Sequence, residues 1–329
     1  MGEEFVAMEL LRVGAFLVAL SVCWQATARD LRSFDSLPPE HPAVRAVGFM
    51  GEVVRNRTGG RLGFTQIGAG DPSSESFIVA QLRNGVLDMA RVNLGVLNTS
   101  VPGSVLPTLP FLFASTDHMR STLDGPVGAG ILASLERQGL IGLCFYDGGI
   151  RSFYSRSGPI RSVADLKGLK VRVQKADSWA VFLRALGAEP VTMPMGQVRA
   201  ALQTGVIDAA DGDWASYVAG GHYMEAPFYS LTRHSQPPSV LVFSQRIWRT
   251  LSPADQKLLR EAARESVGHM RGLMGDYEAA ARQHAEAAGV RIEESVDRKS
   301  FTDAMVPLYP VVVESAQLQD AVTRIRARQ

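Results

Sequence analysis

Two stretches of the chain, 205 − 85 = 120 residues apart, carry one pattern. Leu82-Arg83-Asn84-Gly85-Val86-Leu87-Asp88-Met89-Ala90 and Leu202-Gln203-Thr204-Gly205-Val206-Ile207-Asp208-Ala209-Ala210 both read L-x-x-G-V-[LI]-D-x-A. Physically this is a helix end, a glycine C-cap and a strand that opens with an acid. Helix-glycine-strand is a common succession, and one match is compatible with chance. The spacing nevertheless supports two similarly built α/β halves. Two such halves with a cleft between them make a natural ligand site, because ligands favour domain interfaces and strand C-termini. No low-complexity linker separates the halves, so the chain is expected to cross between them by short hinge strands or helices.

The rest of the chain follows the same alternation of helix and strand signals. A helix is expected from Pro42 to the glycine pair Gly59-Gly60, with Val44, Val47, Met50, Gly51 and Val54 on one face and a strand over 61–67 after it. Gly125-Pro126 reads as a helix start. Ser162-Val163-Ala164-Asp165 resembles a capping box opening a short helix, which Gly168 ends before a buried strand over 169–173. Ser252-Pro253-Ala254-Asp255 combines an N-cap serine, a proline at the first helical position and an acid at the third. It predicts a long helix to about Ala288, closed by Gly289 and followed by a strand at 290–293.

The N-terminus reads as an export leader. Val13 to Cys23 is a nearly unbroken apolar run, too short to span a bilayer as a helix, and Ala26-Thr27-Ala28 follows as a small-residue cleavage pattern. Residues 1–28 are therefore expected to be a signal peptide removed after Ala28; the alternative is an apolar first helix in the core. The acidic Glu3, Glu4 and Glu9 oppose only Arg12, unlike a basic leader, and translation from Met8 would remove two of the three. Lipidation at Cys23 is disfavoured by the valine before it.

Charge and motifs exclude more than they assign. The 329 residues hold 34 basic and 33 acidic side chains, and the mature chain 33 against 30, so an electrostatic nucleic-acid binder is excluded. Cys144 alone remains after leader removal and cannot form an internal disulfide; it reads as a small buried hydrophobe, with a catalytic thiol as the alternative. There is no G-x-S-x-G, H-E-x-x-H, phosphate-binding loop or C-x-x-C, and the six histidines lack metal spacing. No catalytic residue, metal or cofactor is expected. Asp208, Asp211 and Asp213 form a denser acidic group, read as a cation site, a hydroxyl-binding edge or solvated acids at a strand end. Arg172 lies inside the apolar strand Lys170-Val171-Arg172-Val173-Gln174, and Arg151 follows Gly148-Gly149-Ile150. A buried guanidinium needs an anionic partner, which can be an internal carboxylate or a bound one. The residues alone thus give an exported two-domain α/β protein suited to small anions.

From Asp30 onward the chain resembles the substrate-binding proteins of tripartite ATP-independent periplasmic (TRAP) transporters, the DctP-like family. The carrying stretches are Asn84-Gly85-Val86-Leu87-Asp88-Met89, Pro107-Thr108-Leu109-Pro110-Phe111-Leu112-Phe113, Asp165-Leu166-Lys167-Gly168-Leu169-Lys170-Val171-Arg172-Val173-Gln174 and Ala201-Leu202-Gln203-Thr204-Gly205-Val206-Ile207-Asp208. The resemblance implies a two-lobed periplasmic-binding-protein fold with mixed sheets flanked by helices and a long lobe-spanning helix. It implies that Arg172 binds a substrate carboxylate and that Arg151 lines the same site. Asp88-Met89-Ala90-Arg91-Val92-Asn93, Phe145-Tyr146-Asp147-Gly148-Gly149-Ile150-Arg151-Ser152-Phe153-Tyr154 and Thr232-Arg233-His234-Ser235 look like the branch that takes glucuronate and galacturonate. In that branch an acid near Glu75, an asparagine at Asn93 and an E-N-N-W stretch meet the sugar; here Asp211-Gly212-Asp213-Trp214 replaces that stretch. Both amides are gone, and a carboxylate only accepts hydrogen bonds.

The resulting expectation is a periplasmic receptor for a small organic acid, delivered to TRAP membrane permease subunits. Arg172 grips the carboxylate and Arg151 adds a second positive contact. Glu75, Asn93 and Asp213 take hydroxyls, Trp214 covers an apolar sugar face, and Asp211, Gln174 and His41 complete the candidate ligand-binding set. One lobe is expected over 29–148 plus about 237–276, the other over 149–236 plus about 277–329, in a monomer. The rivals are a sensor subunit that binds the same acid and an exported enzyme using Cys144 or the aspartates.

Overall fold

The computed structural model describes residues 28–68, 75–173 and 177–328. Residues 1–27 of the expected leader, Cys23 among them, and Gln174 lie outside these residues. Eleven described strands form two sheets. The first has the order β2-β1-β3-β10-β4, from β1 (Arg29–Phe34), β2 (Leu62–Ile67), β3 (Met89–Asn93), β4 (Leu140–Tyr146) and β10 (Ser239–Ser244). The second has the order β11-β9-β5-β8-β6-β7, from β5 (Arg151–Ser155), β6 (Lys170–Val173), β7 (Glu189–Thr192), β8 (Ala209–Gly212), β9 (Phe228–Ser235) and β11 (Arg291–Glu293). Both sheets are mixed. In the first, β1 runs parallel to β2 and β3 while β10 is antiparallel to β3 and β4. In the second, β5 is antiparallel to β8 and β9 while β6 is parallel to β7 and β8. The chain passes from the first sheet to the second through residues 147–150 and returns through 236–238.

Strand residues alternate between two covered faces, as a doubly buried sheet requires. In β10, Leu241 and Phe243 join Leu31, Met89 and Ile141 on one face, whereas Val240 and Val242 join Phe34, Val92 and Phe145 on the other. In β5, Phe153 packs with Val171, Phe182 and Phe301, and Tyr154 packs on the opposite face with Leu202, Tyr217 and Tyr229. Each large apolar side chain so buried contributes about 1.5–3 kcal/mol before entropy is counted.

The helices obey their local signals. Helix Pro42–Arg57 starts with Pro42 at its first position and His41 as N-cap, whose Nδ1 accepts from the Ala43 N–H at 3.1 Å. Arg55 and Arg57 in its last turn complement the dipole, and Gly59 and Gly60 leave it with φ of 60° and 83°. The 35-residue helix Pro253–Ala287 is capped by Ser252, whose Oγ accepts from the Asp255 N–H at 3.1 Å. At 1.5 Å per residue it is about 50 Å long. Its Leu259, Ala262, Met270 and Met274 pack on the first sheet and its Ala285 in the core of the second, so one helix spans both lobes. Ser162 does form a capping box with Asp165, but over a single 3₁₀ turn, Val163–Leu166.

The repeated pattern is a repeated structure. Gly85 and Gly205 end helices Glu75–Asn84 and Val198–Thr204 at φ of 75° and 77°. Asp88 Oδ2 then accepts from the Arg32 N–H of β1, and Asp208 Oδ2 from the Lys170 N–H of β6, each at 2.9 Å. The two backbone carbonyls also match: Asp88 O accepts from Ser244 N–H at 2.8 Å and Asp208 O from Arg156 N–H at 3.0 Å. The acid therefore stitches its strand entry to a neighbouring strand in both lobes. A Cβ at either glycine meets the left-handed penalty of about 1–2 kcal/mol. At Gly205 it would also lie 2.9 Å from the Arg156 guanidinium, whereas at Gly85 its nearest neighbour is at 3.6 Å. Urea unfolding should show Gly85→Ala and Gly205→Ala each destabilised by about 1–2 kcal/mol, since the Arg156 guanidinium can swing aside; negligible losses would contradict this account.

Candidate functional site

Arg172 sits in the interior of β6 with 3% of its surface exposed. Its Nε donates to the Met193 carbonyl at 3.2 Å, and among the described residues no carboxylate forms an ion pair with it. Burial, and then the neighbouring Arg151 charge, lower its pKa from the ordinary arginine value. A guanidinium stays charged even so, and the Asp211 carboxylate, already bound by Arg151, compensates it only in part.

Arg151 opens β5, directly after the 147–150 crossing, and is differently placed. Its Nε donates to Asp211 Oδ2 at 2.6 Å and its second nitrogen to the Asp211 carbonyl at 2.7 Å. Burial opposes its charge, but the Asp211 carboxylate outweighs that and raises its pKa. Burial would likewise raise Asp211, yet Arg151 and the hydrogen bond from His234 hold it well below the usual carboxylate range. The carboxylate expected to meet a ligand is thus engaged inside the protein, by Arg151 and by His234 Nε2 at 3.3 Å.

Asp213 and Trp214 also take partners other than a sugar. Asp213 is the N-cap of helix Trp214–Ala219, with Oδ1 accepting from the Ser216 N–H at 2.7 Å and from the Ser216 hydroxyl. Trp214 is 9% exposed, with its ring stacked on Tyr229 at 3.8 Å between centroids and the Arg282 guanidinium 5.8 Å from its centre. Aromatic packing on Tyr229 thus covers one side of the indole expected to meet a sugar face. The Gly148-Gly149 pair has a steric reason, since a Cβ at Gly148 would collide with the Pro237 carbonyl and one at Gly149 with the Asp213 side chain.

On the first lobe, Glu75 and Asn93 lie together. Glu75 accepts from the Asn93 backbone N–H at 3.0 Å and from its side-chain amide at 3.1 Å. Burial raises the Glu75 pKa, and Arg91, 3.6 Å away, partly offsets this. Arg91 itself is buried in β3 and forms a two-pronged pair with Asp35 at 2.7 Å on each side. His41 is half-buried, its ring edge-on to Tyr277 of the long helix at 5.2 Å. Burial, followed by the Arg91 charge, lowers its pKa to about 4, so it is neutral at pH 7. Asp213 and Asp35 both act electrostatically on His41, which therefore lies where the two lobes face each other.

Sequence reasoning missed Asp35, Arg91, His234 and Glu278. Arg91 had a readable signal, a charge inside the apolar strand Met89–Asn93, identical in kind to that of Arg172. The others reveal themselves only through partners distant in the chain. The Cys144 side chain is buried in the first core, and burial pushes its thiol up to about 12. It is protonated at neutral pH and behaves as core. No group of three or more metal-ligating side chains lies together among the described residues, and no described helix is long and apolar enough to cross a membrane.

Two lobes with mixed sheets, joined by two short crossings and one shared helix, with buried cations where the lobes meet, define a bilobal solute-binding protein. Residues 35–316 match the DctP family, described as bacterial extracellular solute-binding protein, family 7. A solute-binding protein of Chromohalobacter salexigens is 33% identical over 314 residues, covering 95% of this chain and 94% of that one. The 2,3-diketo-L-gulonate-binding periplasmic protein of Escherichia coli is 30% identical over 254 residues, 77% of each. Among solved structures, a TRAP periplasmic solute-binding protein from Bradyrhizobium in complex with galacturonate has a TM-score of 0.88 at 46% identity, covering 91% of this chain and 100% of that one. One from Chromohalobacter salexigens with bound D-glucuronate has a TM-score of 0.87 at 33% identity, with 91% and 100% covered. The chain belongs to the DctP family of TRAP periplasmic solute-binding proteins. Proteins of this family bind small ligands and work with membrane permease components.

The long helix brings a titrating group to the lobe junction. Glu278 accepts from the Trp214 and Ala215 N–H groups, each at 3.3 Å, and burial followed by repulsion from Asp213 raises its pKa from 4.5 to about 8. The folded state therefore holds a proton that the unfolded chain releases. Its contribution is fully present below about pH 4.5 and is lost as pH rises through about 8. The stability of wild type relative to Glu278→Gln should fall between pH 5 and pH 9 in urea unfolding; parallel pH profiles would refute the assignment.

Proposed function

We propose that the protein captures a sugar acid of the uronate class in the periplasm and delivers it to TRAP permease subunits, with Arg172 holding the carboxylate. The observation that carries this reading is the buried Arg172 guanidinium, which has no carboxylate partner among the described residues. Galacturonate and glucuronate, bound by relatives, each carry one carboxylate that a guanidinium can grip and several hydroxyls for the polar groups around it.

In this reading Arg172 forms two parallel charge-assisted bonds to the carboxylate, and Arg151 contributes from the edge of its pair with Asp211. Glu75, Asn93 and Asp213 receive sugar hydroxyls, with neutral His41 as a further donor or acceptor. Gln174, two residues beyond Arg172 in the sequence, belongs to the same candidate set. Asp211 acts by holding Arg151, and Trp214 packs the start of its helix on Tyr229. Residues 29–148 with about 237–276 form one lobe and 149–236 with about 277–329 the other, and closing them excludes water and strengthens the charged bonds. The protein works as a monomer, after removal of residues 1–28, and performs no chemistry on its cargo.

Isothermal calorimetry with D-galacturonate and D-glucuronate tests this. Arg172→Ala should weaken binding by about a hundredfold or more, the cost of removing one side of a buried ion pair, while circular dichroism stays unchanged. Undiminished affinity in that variant would overturn the assignment of Arg172.

A further inference from the structure

We propose that the groove between helix Pro126–Ser134 and the C-terminal helix Ala316–Arg326 is a second binding site, for a soluble amphiphilic anion of the medium-chain carboxylate class.

The groove encloses about 800 Å³, a volume typical of small-molecule sites, and shares no residue with the candidate cargo set. Its two walls belong to different cores. Ile131 of the first wall is buried with Phe34, Met119 and Val242 in the first lobe. Ala321 and Ile325 of the second wall are buried with Val171, Phe182 and Phe301 in the second. The 3₁₀ stretch Pro102–Thr108 forms the floor, and its Leu106 joins the second core. Val127 packs against both cores, at the seam between them.

Two glycines keep this space open. A Cβ at Gly103 would make ordinary contact with Ile131 at 3.7 Å and Leu318 at 4.0 Å, so the floor carries no side chain between the walls. Gly130 stands exposed on the first wall, and a Cβ there meets nothing within 4 Å. In the same helix, Gly128 is required by the Leu123 carbonyl, which a Cβ would strike. Packing makes no such demand at Gly130, although glycine is a poor residue for a helix. Its missing side chain leaves the wall of the groove clear.

The lining sets the chemistry of an occupant. Pro102, Leu106, Val127, Ile131, Leu318 and Ile325 form an apolar trough. Leu106, Ile131 and Ile325 are buried, so this surface is recessed between the helices and not raised for a bilayer to meet. The charged residues of the lining are Arg137, Arg324 and Arg328, all exposed, and none of the described lining residues is acidic. Arg324 pairs with Asp320 one turn earlier on its own helix, an exposed contact of little strength. Neither Arg137 nor Arg328 is in an ion pair among the described residues. A chain with 34 basic and 33 acidic side chains thus sets three cations and no acid along one apolar groove. An apolar tail with one anionic head answers both features. The tail displaces water from the trough, and the head meets a guanidinium. A uronate, with hydroxyls around its ring, has no tail to place there.

Calorimetry with hexanoate, octanoate and decanoate tests the site. Each added methylene should strengthen 1:1 binding by about two- to fourfold, as burial of the tail requires. Decyltrimethylammonium, with the same tail and the opposite charge, should bind about tenfold more weakly than decanoate. Gly130→Phe places a ring in the open space of the groove and should abolish decanoate binding, with circular dichroism unchanged. Should that variant fail to fold, the double variant Arg324→Glu, Arg328→Glu on the exposed rim decides, and should weaken decanoate about tenfold. Affinity independent of chain length, or decanoate binding undiminished in these variants, would overturn the proposal. So would retention on phosphatidylglycerol vesicles without saturable 1:1 binding of decanoate. None of these outcomes depends on which acid occupies the cleft between the lobes.

Discussion

Two arginines buried against one carboxylate is the arrangement on which the second lobe is organised. Taking a charge out of water costs several kcal/mol unless an opposite charge and hydrogen bonds replace the solvent. Arg151 meets that requirement with Asp211, in a pair whose 2.6 Å contact is among the tightest of the buried ion pairs. Arg172 has no ion pair of its own among the described residues: its Nε donates to the Met193 carbonyl, and it shares the more distant charge of Asp211 with Arg151. The imbalance is sustained because β5, β6 and β8 are adjacent in one sheet, with cores on both faces keeping Arg151, Arg172 and Asp211 in register. In the proposed reading a bound anion would offset the remaining cost of keeping Arg172 there, making the same interaction a source of affinity and of selectivity for charge.

The first lobe solves the opposite problem. Arg91 is buried as deeply as Arg172, but Asp35 takes both of its prongs and Glu75 stands at 3.6 Å. Its surroundings hold an excess of acid, and burial raises Glu75 accordingly. The two faces of the proposed cleft are therefore complementary: a net cation on one side, hydrogen-bond acceptors on the other. Such an arrangement suits a molecule with one carboxylate end and one hydroxyl-bearing end.

Much of the fold was legible because its signals are local. The proline starts, the serine caps at Ser162 and Ser252, and the left-handed glycines each constrain the backbone within a few residues, so helix and strand limits fell within a residue or two of those observed. The 3₁₀ turn after Ser162 shows the limit, since a capping box specifies a start and says nothing of how far the helix continues. Site residues divide along the same line. Arg172 was readable because a charge in an apolar strand is anomalous wherever the strand lies. Asp211 was readable as an acid but not as the partner of Arg151, because 60 residues separate them in the chain. Trp214 was readable as an aromatic but not as a core residue, since its cover comes from Tyr229 across the sheet.

The acids at 211 and 213 then acquire separate meanings. Asp211 is accounted for by the charge of Arg151 and by the donor on His234; an amide there would leave Arg151 without its counter-charge. Asp213 is accounted for by the N–H groups at the start of Trp214–Ala219, where a carboxylate caps at least as well as an amide. Neither acid has to be justified by a ligand, so the departure from the sugar-acid pattern does not by itself argue against an anionic cargo. What Asp213 does change is the electrostatics of the junction. With Glu278 on the long helix and His41 on the opposite lobe within its reach, it couples the protonation of the spanning helix to the region where the lobes meet. An amide at that position would lower the Glu278 pKa by removing the repulsion, leaving burial alone to raise it. The acid at 213 therefore bears on the protonation of the long helix at Glu278 as well as on the cap of its own helix.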